Sequence, residues 1–470
     1  MRKYILIFMT ILMFSACGSS SSSDPSSTDE NSNNTENVDN TNNIVESTGE
    51  TNNDYVSSVS ADDTPNPTLA RVPHNKSSIP MLGILVSYTN IKITSDESTW
   101  STKLFGKNEH ELNHYYQEVS NSKFEFSKAI ESGGTPNDGI VSVSLNEYHP
   151  NTDIDSSSFA SRVYPHLKEA LEATDAVVDF SNYDSDANGH ITPDELLLTF
   201  IIAGYEDSYE GLHVRNGIWA HQHCMESSSN IPTLDSVTLM GCQNEGNYAL
   251  FGEKHNRSNP YDATIGVIAH ELGHSAFKLP DLYNTAGKSG GIGYFGLMGA
   301  GTWTYKDYSD KPGNTPTHFS AWSKVYMNWV TPTQESGTTT LNETSSDSYN
   351  IIKIPISANQ YYLLENRNNS GYDRGLFSLD GDFDGGMAIW HVDENKLSST
   401  NFEINNVNTD TDNKALDLVE ATTSTKYDNI DDDGSGGYEK ILFYSPSVNA
   451  FGTKVTNISQ RGSQMTLNIN

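Results

Sequence analysis

The stretch IAHELGHSAFKLPDLYN, residues 268–284, places His270 and His274 four positions apart with Glu271 beside the first. Four positions are about one turn of an α-helix, so both imidazoles would lie on one side and could reach a single zinc ion at about 2.1 Å each. Glu271, next to the first histidine, is placed to hold the metal's water rather than the metal. The chemistry this implies is peptide hydrolysis. Zinc lowers the pKa of its water to about 7 and polarises the scissile carbonyl, while Glu271 acts as general base and passes the proton to the leaving amine.

Two histidines are one protein ligand short of a catalytic zinc site. One group of peptidases takes a glutamate from a following helix about twenty or more residues on; another turns sharply at a glycine and uses His or Asp shortly after. Between Glu271 and Asp307 the only acidic residue is Asp281, and no histidine follows His274 there. Asp281 is therefore the best candidate for the third position.

A second constellation, DSDANGHITPDE at 184–195, fits a calcium-loop template. Asp184, Asp186 and Asn188 occupy positions 1, 3 and 5, Gly189 position 6, and Glu195 position 12, while His190 would offer only its backbone carbonyl. Hard oxygen donors at alternate positions curl around one ion and the glutamate closes the site with two oxygens. The exit LLLTFIIAG reads as strand, which suits one ion-pinned loop and a structural Ca2+ rather than a paired sensor. Three other stretches carry less. His221 and His223 in WAHQH (219–223) mark a strand end more readily than a metal pair, and LDGDFDGG (379–386) and DNIDDDGSGG (428–437) read as solvated turns.

These residues need elements to hold them. Leu82–Tyr88 reads as a buried strand, 109–119 as a helix, Lys123–Phe126 as a strand, Phe159–Ala173 as a helix, and Leu196–Ala203 as a strand ended by Gly204. For the histidine helix, Asp262 is the expected N-cap, with Ile265, Ile268 and Leu272 facing the core. The mixture indicates an α+β domain over 71–335. Beyond Pro332 helical signals nearly vanish: Tyr349–Ile356, Gln360–Glu365, Gly386–Val392 and Lys440–Tyr444 are short β-type runs. Residues 336–470 read as a β-rich C-terminal module, a sandwich packed on the first domain.

The chain of 470 residues begins with Arg2 and Lys3 before an apolar run, Tyr4–Phe14, too short to span a bilayer. Phe14-Ser15-Ala16-Cys17 resembles a bacterial lipobox, so residues 1–17 read as a lipoprotein signal peptide with Cys17 as the lipidated residue. Residues 18–70, rich in Ser, Asn, Thr and acids, cannot bury enough apolar surface to order and read as a tether reaching about 40 Å. The expected location is extracytoplasmic, lipid-anchored to a bacterial membrane or cell surface. With 28 Lys+Arg against 61 Asp+Glu the net charge is -33, which argues against nucleic acid or anionic lipid as a partner of the folded part. The membrane is met only through the anchor, the expected partners are protein or peptide substrates, and a monomer is expected. In an exported chain the two remaining cysteines, Cys224 and Cys242, point to a disulfide rather than free thiols.

Several ordered motifs together resemble the immune inhibitor A type of secreted bacterial zinc metallopeptidases, related to the metzincins. They are LPDLYNTAGKSGGIGYFGLMGAGTW (279–303), HFSAWSKVYMNWVTP (318–332), YYLLENRNNSGYDRGL (361–376), MAIWHVDEN (387–395) and LDLVEA (416–421). The resemblance implies a metzincin-like fold, zinc on His270, His274 and an aspartate, Glu271 as catalytic base, and Met298 in a turn beneath the metal. One departure stands out. The family pattern has glycine three residues after the second histidine and aspartate three further on, where this chain has Phe277 and Pro280; one extra residue precedes Leu279-Pro280-Asp281. The expected protein is a lipid-anchored zinc endopeptidase. The rival reading is a catalytically silent, calcium-stabilised surface binding protein of the same fold, and a zinc hydrolase of non-peptide bonds is a third.

Overall fold

A computed structural model describes residues 76–151, 156–210, 214–226, 229–285, 290–379, 381–397, 405–410, 414–419, 421, 442–445 and 454–470. Cys17, the 18–70 segment, the 428–437 turn, Asp380 and the start of the Lys440–Tyr444 run lie outside the described residues.

The N-terminal part runs β1 (Ser78–Ser87), α1 (Glu97–Phe105), α2 (Leu112–Val119), β2 (Glu125–Lys128), β3 (Ile140–Ser144), α3 (Ser156–Glu172) and β4 (Leu197–Glu206). It continues through α4 (Asp207–Glu210), β5 (Gly217–Ile218), β6 (His221–His223), β7 (Thr233–Leu234), β8 (Val237–Thr238), β9 (Tyr248–His255), β10 (Tyr261–Asp262), α5 (Ile265–Phe277) and α6 (Ala321–Tyr326). The main sheet follows the order β10-β9-β4-β1-β2, with β3 also on β1. Its inner strands are parallel, whereas β6 lies antiparallel on β9. Parallel strands are usually covered on both faces, which explains the near-continuous apolar runs LGILVSY and LLLTFIIA. On β1, Leu82, Ile84 and Val86 face one core with Val163, Leu167 and Leu171 of α3. Ile79, Met81 and Leu85 face the other, with Trp100, Tyr116, Ile268 and Leu272 of α1, α2 and α5.

Two local expectations are corrected here. Gly204 does not end its strand: β4 continues to Glu206 through a register shift between Ile202 and Tyr205. Glycine is needed there because φ is +122° and a Cβ would lie 2.1 Å from the Asn216 carbonyl oxygen. Asp262 does not cap the histidine helix. It pairs with Lys254 and accepts from Ser95, while Thr264 takes the N-cap position without a side-chain cap bond.

The C-terminal part forms two sheets. One has the order β12 (Ile352–Pro355), β13 (Gln360–Arg367), β14 (Gly386–Asp393), β15 (Leu416–Leu418); the other joins β11 (Gly337–Asn342), β17 (Gln464–Ile469) and β16 (Val455–Thr456). Every residue of β13 and β14 is buried because both faces are used. Leu363, Trp390 and Val392 join the cluster that also contains Ile268 and Leu272 of α5. The alternate residues Leu364, Met387 and Ile389 face Leu341, Met465 and Leu467 of the second sheet. The core under the histidine helix is thus continuous with the first C-terminal sheet. Cys224 and Cys242 form a disulfide, Cα atoms 4.9 Å apart, that ties the residue after β6 to the turn before β9. Among the described residues, no helix is long and apolar enough to cross a membrane.

Candidate metal centre

Helix α5 must bury one side and stop where the chain can return. It ends at Phe277 because Lys278 takes the left-handed conformation, φ 54° and ψ 31°. The Lys278 N–H donates to the His274 carbonyl at 2.9 Å, and the Leu279 N–H reaches back to that of Gly273 at 3.2 Å. The bond from the residue after the helix to the carbonyl four before it is the αL capping pattern, with lysine where glycine is usual, at a steric cost of about 1–2 kcal/mol. Phe277 is unavailable for the turn: its ring packs 5.0 Å from Phe124 and 5.2 Å from Trp329. The turn therefore falls one residue later than a glycine at 277 would put it, and the extra residue carries Leu279-Pro280-Asp281 back across the helix.

The result is a triangle of potential ligand atoms. His270 Nε2 lies 3.1 Å from Asp281 Oδ1, His274 Nε2 lies 3.2 Å from the same oxygen, and the two Nε2 atoms are 3.2 Å apart. The outer ring nitrogens settle the tautomers. His270 Nδ1 donates to the Leu297 carbonyl at 2.9 Å and His274 Nδ1 to that of Leu279 at 2.6 Å. In their neutral forms both imidazoles therefore turn bare Nε2 lone pairs toward each other and toward a carboxylate oxygen. Three acceptors, two buried and one half-buried, without a hydrogen among them repel, and only a proton or a cation relieves that. Without a metal the proton does so. Burial opposes charge on His274, yet Asp281 outweighs it and raises the histidine; burial works to raise Asp281, yet His274 and His270 hold it well below the usual carboxylate range. The donor set, two imidazole nitrogens and one carboxylate oxygen, suits zinc. A triangle of this size has a circumradius of about 1.8 Å, so one ion at ~2.0–2.1 Å can touch all three.

The turn at 297–298 holds the triangle from beneath. The Leu297 carbonyl fixes His270 and also accepts from Thr302 Oγ1, while the Met298 carbonyl accepts from the Leu282 N–H at 2.8 Å, next to Asp281. Met298 packs against α5 at Gly273, where a Cβ would lie 2.7 Å from its sulfur; this is the physical reason for glycine before the second histidine.

Glu271 is buried with the triangle. Its carboxylate accepts from the Gln222 N–H of β6, and its pKa is pushed up to about 8, first by burial, then by Asp281 and Glu206 against the opposing pull of His270. Glu206 is fully buried and accepts from the N–H groups of Gly252, Ala220 and Ser208, which fastens β9 to the segments leading to β6. Glu206 has no motif in the sequence; its only signal is an acid at the end of an otherwise apolar strand.

The 184–195 loop brings carboxylate oxygens of Asp184, Asp186 and Glu195 within 4.8 Å of one another. Asp184 accepts from the N–H groups of Asn188 and Gly189, Asn188 Oδ1 accepts from the His190 N–H, and Gly189 has φ +79°. Ile191, at the eighth position, donates to the Thr238 carbonyl at 2.9 Å, so the β7–β8 hairpin takes the place a second such loop would occupy. His221 and His223 lie in β6, where the His221 ring contacts the Tyr248 hydroxyl at 3.2 Å, and His223 sits beside the disulfide-bonded Cys224.

A family model described as the immune inhibitor A peptidase M6 catalytic domain matches residues 88–331. The chain is 26% identical over 236 residues to the pre-pro-metalloprotease PrtV of Vibrio cholerae, covering 47% of this chain and 24% of that protein. It is 32% identical over 176 residues to immune inhibitor A of Bacillus thuringiensis subsp. alesti, covering 34% of this chain and 24% of that protein. The chain thus matches only about a quarter of the length of either relative.

Proposed function

The chain belongs to the immune inhibitor A peptidase M6 family, and on that premise we propose that it is a zinc endopeptidase working outside the cytoplasm. The observation that carries this reading is the triangle of His270, His274 and Asp281 beside a buried Glu271. His270, His274 and Asp281 would hold the ion. When bound, it supplies a Lewis acid that acidifies water and polarises a carbonyl, and its charge opposes the burial that raises Glu271. Glu271 is the base: its carboxylate takes a proton from the attacking water and returns it to the leaving nitrogen. The Gln222 N–H keeps that carboxylate aimed, and Glu206 keeps β6 in place. Strand β6, antiparallel on β9, thereby borders the metal centre at Glu271. The antiparallel β6 and the Met298 turn support a metzincin-like catalytic domain, and the lipobox-like Cys17 supports an anchored protein. An intact Glu271 weighs against a silent binding protein.

The test is zinc content and casein cleavage. Purified protein is expected to carry about one zinc per chain and to digest casein, to stop after chelation, and to recover on zinc addition. A zinc-loaded protein that leaves casein intact sinks the peptidase reading.

We infer further that the 184–195 loop holds a structural Ca2+ through Asp184, Asp186, Asn188, the His190 carbonyl and Glu195. At calcium about 100-fold above its dissociation constant the folded state gains about 2.7 kcal/mol. Glu195→Gln is expected to lose most of that gain, read as a smaller calcium-induced rise in melting temperature. Equal calcium-induced shifts in the two proteins would rule the site out.

A further inference from the structure

We propose that Asn405 is a positioning residue for the metal centre, holding Asp281 so that a single carboxylate oxygen faces the two histidines. This rests on the reading that His270, His274 and Asp281 bind zinc. Asp281 lies in a stretch, 279–285, with no regular secondary structure of its own, and its carboxylate needs an external hold. Asn405, 124 positions away, provides one at both ends of the residue. Its Oδ1 accepts from the Asp281 N–H at 2.7 Å and its Nδ2 donates to Asp281 Oδ2 at 2.5 Å. The amide has only one workable orientation: reversed, its NH2 would face an N–H and its oxygen a carboxylate oxygen. With Oδ2 engaged, Oδ1 is the oxygen left toward His270 and His274. One side chain therefore fixes the backbone and the carboxylate rotamer of the same residue.

Asn405 is itself held. Its backbone sits at φ 52°, a conformation asparagine adopts more readily than most residues. Its carbonyl accepts from Thr285 Oγ1 at 3.2 Å. Four residues on, the Thr409 carbonyl accepts from Asn284 Nδ2 at 2.9 Å. Between them the buried Asn408 donates to the Leu282 and Leu416 carbonyls and accepts from the Ala415 and Leu416 N–H groups. The segment 405–409 is thus stitched to 281–285 on one side and to β15 on the other, so Asn405 links the C-terminal sheet to the metal centre. Partners of this kind, hydrogen-bonded to a metal-ligating carboxylate, typically change metal affinity by about 10–100-fold when removed.

The experiment measures zinc affinity of the full-length protein by competition with a chromophoric chelator, together with the visible spectrum of the cobalt(II)-substituted form. Asn405→Gly removes the amide and tolerates the left-handed backbone. It is expected to weaken zinc about 10–100-fold and to alter the cobalt bands, since the carboxylate can then turn. Asn405→Ala, which adds backbone strain at this left-handed position, is expected to show the same loss of affinity, which keeps the test open if one variant folds poorly. Thr285→Ala, which drops one bond of the segment without touching Asp281, is expected to keep wild-type zinc affinity and cobalt spectrum. If both Asn405 variants bind zinc as tightly as wild type while Asp281→Ala does not, the positioning role is overturned and the metal centre stands. If Asp281→Ala itself binds zinc like wild type, the metal-centre reading fails and the proposal with it.

Discussion

Glu271→Gln is expected to lower the rate of casein cleavage by about 10²–10⁴-fold while zinc content stays at the wild-type level. The expected fall follows from the proposed role of Glu271, since a glutamine cannot accept and return the proton. Zinc stays because the ligand triangle is built by other residues: His270 and His274 are fixed through Nδ1 to the Leu297 and Leu279 carbonyls, neither of which involves Glu271. The amide fills the same buried slot and its oxygen can still accept from the Gln222 N–H. Stability follows with a definite sign. In the metal-free protein the folded pKa of Glu271 is raised to about 8, so its contribution is favourable below its unfolded value and is lost as pH rises through about 8. A neutral glutamine escapes that loss, so metal-free Glu271→Gln should unfold no earlier than wild type at pH 7 and above. Undiminished cleavage by the variant would place the base elsewhere.

The parts of this site that follow a local rule were legible in the sequence. His270, Glu271 and His274 share one helical turn, and Asp281 is the only acid between Glu271 and Asp307. How Asp281 returns was not legible, because the decision is tertiary: Phe277 belongs to a cluster with Phe124 and Trp329, and that forces the left-handed turn onto Lys278. Asp262 illustrates the same limit. Its type and position suit a helix cap, but Lys254 engages it across the β9–β10 pair and Ser95 donates to it from the segment before α1. Gly204 was readable as a special backbone position and misread as a terminator, since a close approach to Asn216 leaves no mark in the neighbouring residues. Glu206 and Asn405 were invisible for a plainer reason. Glu206 influences Glu271 electrostatically and Asn405 binds Asp281 from distant parts of the chain, and neither residue's sequence neighbours say which group it serves.

Arg367→Met is expected to cost about 3–5 kcal/mol of stability, the usual consequence of leaving buried charges without their partner. Arg367 is fully buried in β13. Its Nε and Nη2 donate to Asp373 at 2.7 and 2.5 Å, and its Nη1 donates to Glu365 Oε1 at 3.3 Å. Both carboxylates are also fully buried, so removing the guanidinium strands two negative groups where water cannot reach. The pH dependence has a clear direction. Burial works to raise Asp373, but Arg367 and His318 overcome it and hold the carboxyl well below the usual range. Such a group contributes stability that is fully present above its unfolded value, near 3.9, and is lost as pH falls through the folded value. The urea midpoints of wild type and Arg367→Met should therefore differ most at neutral pH and converge in acid. Adding Asp373→Asn to Arg367→Met should cost less than the two single changes summed, because they break one contact. The same guanidinium donates to the Phe295 carbonyl at 2.6 Å, three residues before Met298. Loss of Arg367 should consequently weaken zinc binding in molecules that remain folded, joining the C-terminal sheet to the metal centre by a second route besides Asn405. An Arg367→Met protein with wild-type urea midpoint and zinc affinity would mean that this buried network supports neither.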